Sequence, residues 1–312
     1  MSRSPAAASI IAPPPSIDQT LSTWAARRAA AQELAAIFRA HDRPGSPLAG
    51  WADRIDQCST NIALRPGERN WYMARGSYCG VRLCPCCQWR RSRIWQARVG
   101  GLGDRLKGRL IFLSLTVRNC AVGELRENLG QMAEGWHRLI RRRTWPGTGY
   151  LRSVEVTRGQ DGNAHPHIHA LIQVPSNYFQ KSNPQYLHQE QWAKMWQESA
   201  ELDYWPIVDI RAVRGKKDDA FREVTKYTVK RADLVGDAPW IVEAAQQLSK
   251  SRAVCLGGTI RKGIKNIERD DDPATADDLD PDADGTDIRD GATRWFRFDP
   301  SAGRYAEWGP SW

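Results

Sequence analysis

The stretch Ala164-His165-Pro166-His167-Ile168-His169-Ala170-Leu171 decides how this chain is read. In an extended strand alternate side chains share a face, so His167 and His169 project together while Ile168 and Ala170 point the other way. Two imidazoles side by side meet one ion, and a divalent metal such as Mn²⁺, Mg²⁺ or Zn²⁺ then needs a third, preferably acidic, ligand. Upstream, Val154-Glu155-Val156 sets a carboxylate in opposite phase to two valines within the run Tyr150 to Thr157. A carboxylate in an apolar strand is costly unless it is exposed, paired or bound to metal. Between the two runs Gly159, Asp161, Gly162 and Asn163 supply turn chemistry, so strands over 150–157 and 167–174 are expected to pair as an antiparallel hairpin. That pairing converges Glu155, His167 and His169 as metal ligands; the alternative is a solvent-facing Glu155 beside two unremarkable histidines. His165 is set apart, because Pro166 is expected to break the ladder and splay it away.

Working outward, Arg109 to Val117 is β-branched and apolar and reads as a strand, and Glu124 to Arg143 has helical spacing with a basic end. Gln189 to Leu202 reads as helix, Ile207 to Val213 as strand and Asp218 to Arg231 as helix. The order predicts an α+β fold, a central antiparallel sheet flanked by helices. On the last helix Glu223 and Tyr227 are four apart and Tyr227 and Lys230 three apart, which places all three on one face. A phenol with a pKa of about 10 attacks phosphorus only with a base, cation or metal nearby, and Lys230 or the metal can supply the positive charge. In this reading Tyr227 attacks in line, leaving a 5′-phosphotyrosine and a free 3′ hydroxyl, and Glu223 serves as general base in the closing step. Taken alone, that spacing is also that of an ordinary amphipathic surface; the histidine strand upstream gives it meaning.

A second cluster, Cys79-Gly80-Val81-Arg82-Leu83-Cys84-Pro85-Cys86-Cys87, contains a Cys-x-x-Cys knuckle at Cys84 and Cys87. With Cys79 and Cys58 it offers four thiolates for a tetrahedral structural zinc, on the N-terminal side of the catalytic region; Cys86 competes with Cys58 or Cys79 for a place, and reduced thiols in a loop are the alternative. The run that follows, with Trp89, Arg90, Arg91 and Arg93, mixes cations and aromatics suited to phosphate contact and base stacking, or forms a plain basic helix.

Three segments together, Phe112-Leu113-Ser114-Leu115-Thr116-Val117-Arg118-Asn119, His165-Pro166-His167-Ile168-His169 and Glu223 through Lys230, resemble a known family in order and spacing. The family is the rolling-circle replication initiators of small bacterial plasmids, in the endonuclease superfamily named for its histidine–hydrophobe–histidine (HUH) motif. The likeness is to the branch with one tyrosine and a nearby glutamate, and it covers about Cys79 to Gly263. The resemblance implies that the first motif is a core strand, that His167 and His169 bind Mn²⁺ or Mg²⁺, that Tyr227 is the nucleophile and that Glu223 has the hydrolytic, terminating role. Glu155 agrees with the acidic third ligand often seen in the superfamily, and a Cys-Pro-x-Cys followed by Trp and arginines is frequent in the family. The resemblance further implies nicking of plasmid origin DNA that is single-stranded or extruded, followed by strand transfer, with host helicase and polymerase as further partners. The rival readings are a relaxase or transposase of the same superfamily, and a non-catalytic zinc-dependent DNA-binding regulator.

Composition agrees with a polyanionic partner. The 312 residues carry a formal charge of +9, and the segment Glu268 to Asp290 holds eleven acidic residues against Arg269 and Arg289, so the remainder is more basic still. No apolar run reaches the length of a membrane span and the start lacks the hydrophobic stretch of a signal peptide, so a cytoplasmic protein without a membrane partner is expected. Reduced cysteines there favour metal over disulfides. The expected organisation is an N-terminal extension over 1–50, partly disordered with a helix near Ser22 to His41, and a Cys-rich zinc and DNA-binding element over 51–104. The catalytic domain follows over 105–265, then an acidic disordered linker over 266–292 and an aromatic tail over 293–312 that either docks on the core or binds a host protein.

Overall fold

The computed structural model describes residues 16–66, 71–180, 182–225, 237–270 and 293–309. Helix α1 (Ile17–Ala40) starts at a capping box in which Ser16 accepts from the Gln19 amide and the Gln19 side chain reaches back. It is followed by α2 (Leu48–Asp56), strands β1 (Asn61–Pro66) and β2 (Trp71–Gly76), helix α3 (Pro85–Val99) with proline at its first position, and the short α4 (Leu102–Arg105). Strand β3 (Arg109–Thr116), helix α5 (Leu125–Leu139), strands β4 (Gly149–Arg158) and β5 (Ala164–Val174), helix α6 (Gln189–Ser199), strand β6 (Val208–Ala212) and helix α7 (Lys217–Val224) come next. The order closes with α8 (Ala238–Leu248), β7 (Val254–Gly257), α9 (Gly258–Asp270), β8 (Arg294–Asp299) and β9 (Arg304–Glu307).

The strands form two antiparallel sheets flanked by helices, so the α+β class read from the sequence is the class observed. One sheet has the order β6-β3-β5-β4-β7 and the other β2-β1-β8-β9. The hairpin β4–β5 turns at Gly159–Asn163, where Gly162 has φ +81° and the Asp161 carboxylate accepts from the Asn163 amide and from Asn119. One expectation about this hairpin is corrected. Strand β5 begins at Ala164 and runs through Pro166, which pairs with Val156. Strand β3 stops at Thr116 opposite His167, so Pro166 lies where β5 has a neighbour on one side only, and a missing donor there breaks no ladder.

The central sheet is buried on both faces, by different partners. Ile168, Ala170 and Ile172 of β5, with Ile111, Leu113 and Leu115 of β3, pack under Trp136 of α5 and Trp192 and Trp196 of α6. On the other face Leu171, Leu110 and Leu151 pack under Phe221 and Val224 of α7 and Ile260 and Ile264 of α9. These helices cover one end of that face. The remaining end carries the alternate residues of the hairpin, and that is where the site lies.

The second sheet joins segments remote in sequence: β1 lies between β2 and β8. Phe296, Phe298 and Tyr305 enter the same core as Trp24, Phe38 and Cys58, and the Tyr305 hydroxyl donates to the Ser59 carbonyl. The aromatic segment thus docks on the core. Among the described residues no helix is long and apolar enough to cross a membrane. The expected disorder of the first fifteen residues and of the acidic segment beyond Asp270 falls outside the described residues.

Candidate active site and metal centres

Register alone brings the three expected ligands together. Glu155 of β4 stands opposite His167 of β5, and Ser114 of β3 stands opposite His169. Glu155 Oε2 lies 3.1 Å from His167 Nε2 and 3.0 Å from His169 Nε2. Each imidazole is held from behind: His167 Nδ1 lies 3.3 Å from the His165 carbonyl oxygen and His169 Nδ1 lies 3.0 Å from Ser114 Oγ. Phe112 flanks the His169 ring, with centroids 5.6 Å apart. The three side chains are largely withdrawn from water, with 12% of His167, 25% of His169 and 16% of Glu155 exposed.

This donor set fits a divalent ion. A carbonyl oxygen only accepts, so His167 must carry its proton on Nδ1, and its Nε2 then confronts the Glu155 carboxylate. Two lone-pair-bearing atoms at that separation stay together only around a shared proton or a cation. Bonds of about 2.1 Å in an octahedral site put neighbouring ligand atoms about 3.0 Å apart, close to the separations found. Burial works to raise the Glu155 carboxyl, but the two imidazoles close beside it, His167 and His169, outweigh that and hold the group well below the usual carboxylate range. The orienting contacts behind the rings are those that metal-bound histidines use. Glu155, His167 and His169 are accordingly one of two groups among the described residues able to hold a metal.

His165 stays outside this group, with Nδ1 2.7 Å from Asn119 Oδ1, while Asn119 Nδ2 donates to Asp161. Sequence reasoning missed the positioning part of Ser114. Its signal was a polar residue at an alternate position of an apolar strand, in register with the second histidine.

Helix α7 packs on β4 and β5 from the same face that carries Glu155, His167 and His169, through Phe221 and Val224. Its described span closes at Val224, where the Thr225 hydroxyl donates to the Phe221 carbonyl at 2.9 Å, and the part of the expected helix beyond Thr225 lies outside the described residues. Glu223 is exposed on this helix. Tyr227 and Lys230 lie outside the described residues.

The second group is Cys58, Cys79, Cys84 and Cys87. Cys58 follows α2, Cys79 lies in the loop after β2, and Cys84 and Cys87 open α3. Their sulfurs are 3.7 Å apart for Cys58 and Cys87, 3.5 Å for Cys79 and Cys87, and 3.6 Å for Cys84 and Cys58. A tetrahedron with Zn–S bonds of about 2.3 Å has edges of about 3.8 Å, so the cage has the size a zinc ion needs. The crowding splits the thiols: hydrogen bonds from Cys79 first, then Cys84, Cys86 and Cys87, drive Cys58 far down, while its hydrogen bond with Cys58 drives Cys84 far up. The Gly80 amide donates to Cys87 Sγ at 3.3 Å, and Arg54 and Arg91 tie down the Cys79 and Gly80 carbonyls. Cys86 is buried and outside the four.

Of the basic run on α3, Trp89 packs edge-on against Trp24 at 4.6 Å, Arg90 stacks over Tyr78 at 4.6 Å and Arg91 donates to the carbonyls of Gly80, Val81 and Arg82. Arg93 donates to Gln96. Trp89 thus ties α3 to α1, and Arg91 ties it to the cysteine loop.

The sequence profile of the Replication protein family, Rep_1, matches residues 71–306, a span that holds both metal-ligating groups except Cys58. The chain belongs to the Replication protein family. This replication protein is 34% identical over 283 residues to Protein rep of Streptococcus pneumoniae serotype 2, covering 85% of this chain and 87% of that one. It is 29% identical over 266 residues to Protein rep of Lentilactobacillus hilgardii, covering 78% and 84% of the two chains. To Protein rep of Lactiplantibacillus plantarum it is 34% identical over 241 residues, covering 70% and 76%. No solved structure matches this replication protein.

Proposed function

We propose that this replication protein initiates rolling-circle replication of a plasmid by nicking single-stranded or extruded origin DNA and transferring the cleaved strand. The observation that carries the reading is the clustering of Glu155, His167 and His169 at the open end of a sheet face whose other end is covered by α7, the helix immediately preceding Tyr227. Glu155, His167 and His169 would hold Mn²⁺ or Mg²⁺, which when bound supplies Lewis-acid polarisation of a non-bridging phosphate oxygen. Ser114 and the His165 carbonyl orient the two imidazoles, and Phe112 and the withdrawn strand positions restrict water around them. Tyr227 attacks the scissile phosphorus in line: a bond forms from its phenolic oxygen to phosphorus, the bond to the 3′ oxygen breaks, and the phenolic proton passes to solvent while the 3′ oxygen leaves as a hydroxyl. Lys230 stabilises the developing charge, and Glu223 accepts the proton of the water or hydroxyl that resolves the 5′-phosphotyrosine. The origin DNA is extended from that 3′ hydroxyl by a host polymerase, behind a host helicase.

Cys58, Cys79, Cys84 and Cys87 hold a structural Zn²⁺ that fixes the loop between β2 and α3. The protein acts in the cytoplasm. Incubating the full chain with a 5′-labelled single-stranded origin oligonucleotide tests the reading: a nicked product is expected with Mn²⁺ or Mg²⁺ and not without a divalent ion. Cleavage that persists in a His167→Ala, His169→Ala double variant overturns it.

A further inference from the structure

The reverse face of the central sheet carries a second feature that the nicking chemistry does not use. Arg152 and Val154 point away from Glu155, into a cavity of 210 Å³ bounded by α5, the C-terminal end of α8, strand β7 and the cysteine loop. Four arginines line it, Arg82, Arg126, Arg152 and Arg252, and among the described lining residues there is no carboxylate. Arg152 is only 5% exposed, and its Nε has no hydrogen-bond partner; its neighbour is the Trp136 ring, 5.6 Å away. The Nε of Arg82 is buried and unpartnered as well, and burial, then Arg91, pushes that guanidinium down to about 10. Arg126 is anchored, donating to the Gln246 and Ser249 carbonyls at the end of α8. Past Arg82 and Ser251 the surface continues into a hollow of 370 Å³ that carries Lys250, held at φ +61°.

Withdrawing guanidinium groups from water without a counter-charge is costly, and such a cluster is stable in the company of an anion. The planar donor fork of arginine matches the oxygens of a phosphate, and several forks around one cavity match a chain of them. The overall positive charge and the family's replicative role favour DNA as the source of those phosphates.

We propose that the cleft formed by Arg82, Arg126, Arg152 and Arg252 is a phosphate-binding site that takes backbone phosphates of DNA on the face of the sheet opposite Glu155, His167 and His169. It gives the protein a hold on duplex beside the origin that is separate from the strand being cut.

The test is equilibrium binding of the full chain to a fluorescent duplex between 50 and 200 mM salt without added Mn²⁺ or Mg²⁺. No cleavage enters the measurement, so its outcome is independent of the nicking proposal. Each phosphate contact contributes about 0.9 to the slope of log affinity against log salt, so across that fourfold rise the wild type is expected to lose about 3.5-fold more affinity than Arg252→Gln or Arg82→Gln. Arg304→Gln, on the far sheet, is the control and should keep the wild-type slope. Arg252 is exposed, so its substitution tests the site even if Arg152→Gln fails to fold. A second arm uses pyrophosphate: if it raises the melting temperature of the wild type but not of the two variants, while duplex slopes agree, the site takes small phosphates and DNA is rejected as their source. Equal slopes together with no pyrophosphate-dependent difference, in variants that melt as the wild type does, overturn the proposal.

Discussion

Replacing Ser114 by alanine removes the hydrogen bond behind the His169 ring, the 3.0 Å contact between Ser114 Oγ and His169 Nδ1. The bond is neutral and His169 retains some exposure, so its net worth lies within the usual range of about 0.5–1.5 kcal/mol. Outer contacts of metal-bound histidines commonly cost 10- to 100-fold in metal affinity when lost, and the partial exposure here places the effect at the lower end, about tenfold or ~1.4 kcal/mol. The partner ring, His167, is oriented by the His165 main-chain carbonyl and keeps its geometry, so binding weakens without being abolished. Titration of Mn²⁺ by calorimetry should give a dissociation constant about tenfold higher in Ser114→Ala, with the melting temperature lowered by only about 1–6 °C. Ser114→Thr, which restores a hydroxyl on a strand-compatible side chain, should recover most of it, and raised Mn²⁺ should recover nicking in the alanine variant. An affinity equal to the wild type's within twofold refutes the reasoning that Ser114 positions the ring.

Further outcomes follow from the packing. Cys84→Ser should take the zinc content from one ion per chain to none and lower the melting temperature steeply, since the binding energy of a closed thiolate site is folding energy; elemental analysis and thermal denaturation check both. Trp136→Ala should destabilise by about 3–5 kcal/mol in urea denaturation, because the ring is fully buried against Trp145 and Tyr150. Gly108→Ala should cost about 2 kcal/mol or more in the same assay: the residue has φ +87°, and a Cβ would meet the Val174 carbonyl oxygen at 2.4 Å.

What could be read from sequence was what depends on local periodicity. The β4–β5 hairpin follows from two period-two runs and one glycine-rich turn, and its register alone sets Glu155 opposite His167. The flanking helices α5 and α6 follow from their apolar spacing in the same way. The sheet β2-β1-β8-β9 was illegible as a whole because the pairing that assembles it, β1 with β8, is remote, as is the contact of Tyr305 with Ser59 across 246 positions. Strand β7 has only four residues and takes its conformation from the edge of β4. In the helix carrying Trp89 and its arginines the residue types suit phosphate contact and a plain basic helix alike, and it is Trp24 and Tyr78 on other elements that set how Trp89 and Arg90 turn. Pro166 was over-read, since a proline disrupts a strand only where its missing donor is needed. The four cysteines were legible as a set, although Cys58 was separated from the rest, because thiolate chemistry constrains the set more than sequence spacing does.

The account rests on a phenol and a metal-binding cluster acting on the same phosphate. Its most direct measurement is to trap the protein on an origin oligonucleotide in Mn²⁺, digest the adduct and map the nucleotide-bearing peptide by mass spectrometry. The nucleotide is expected on Tyr227, with the adduct absent from both Tyr227→Phe and the His167→Ala, His169→Ala double variant. A nucleotide on any other residue, or an adduct formed at the wild-type rate by either variant, contradicts the account.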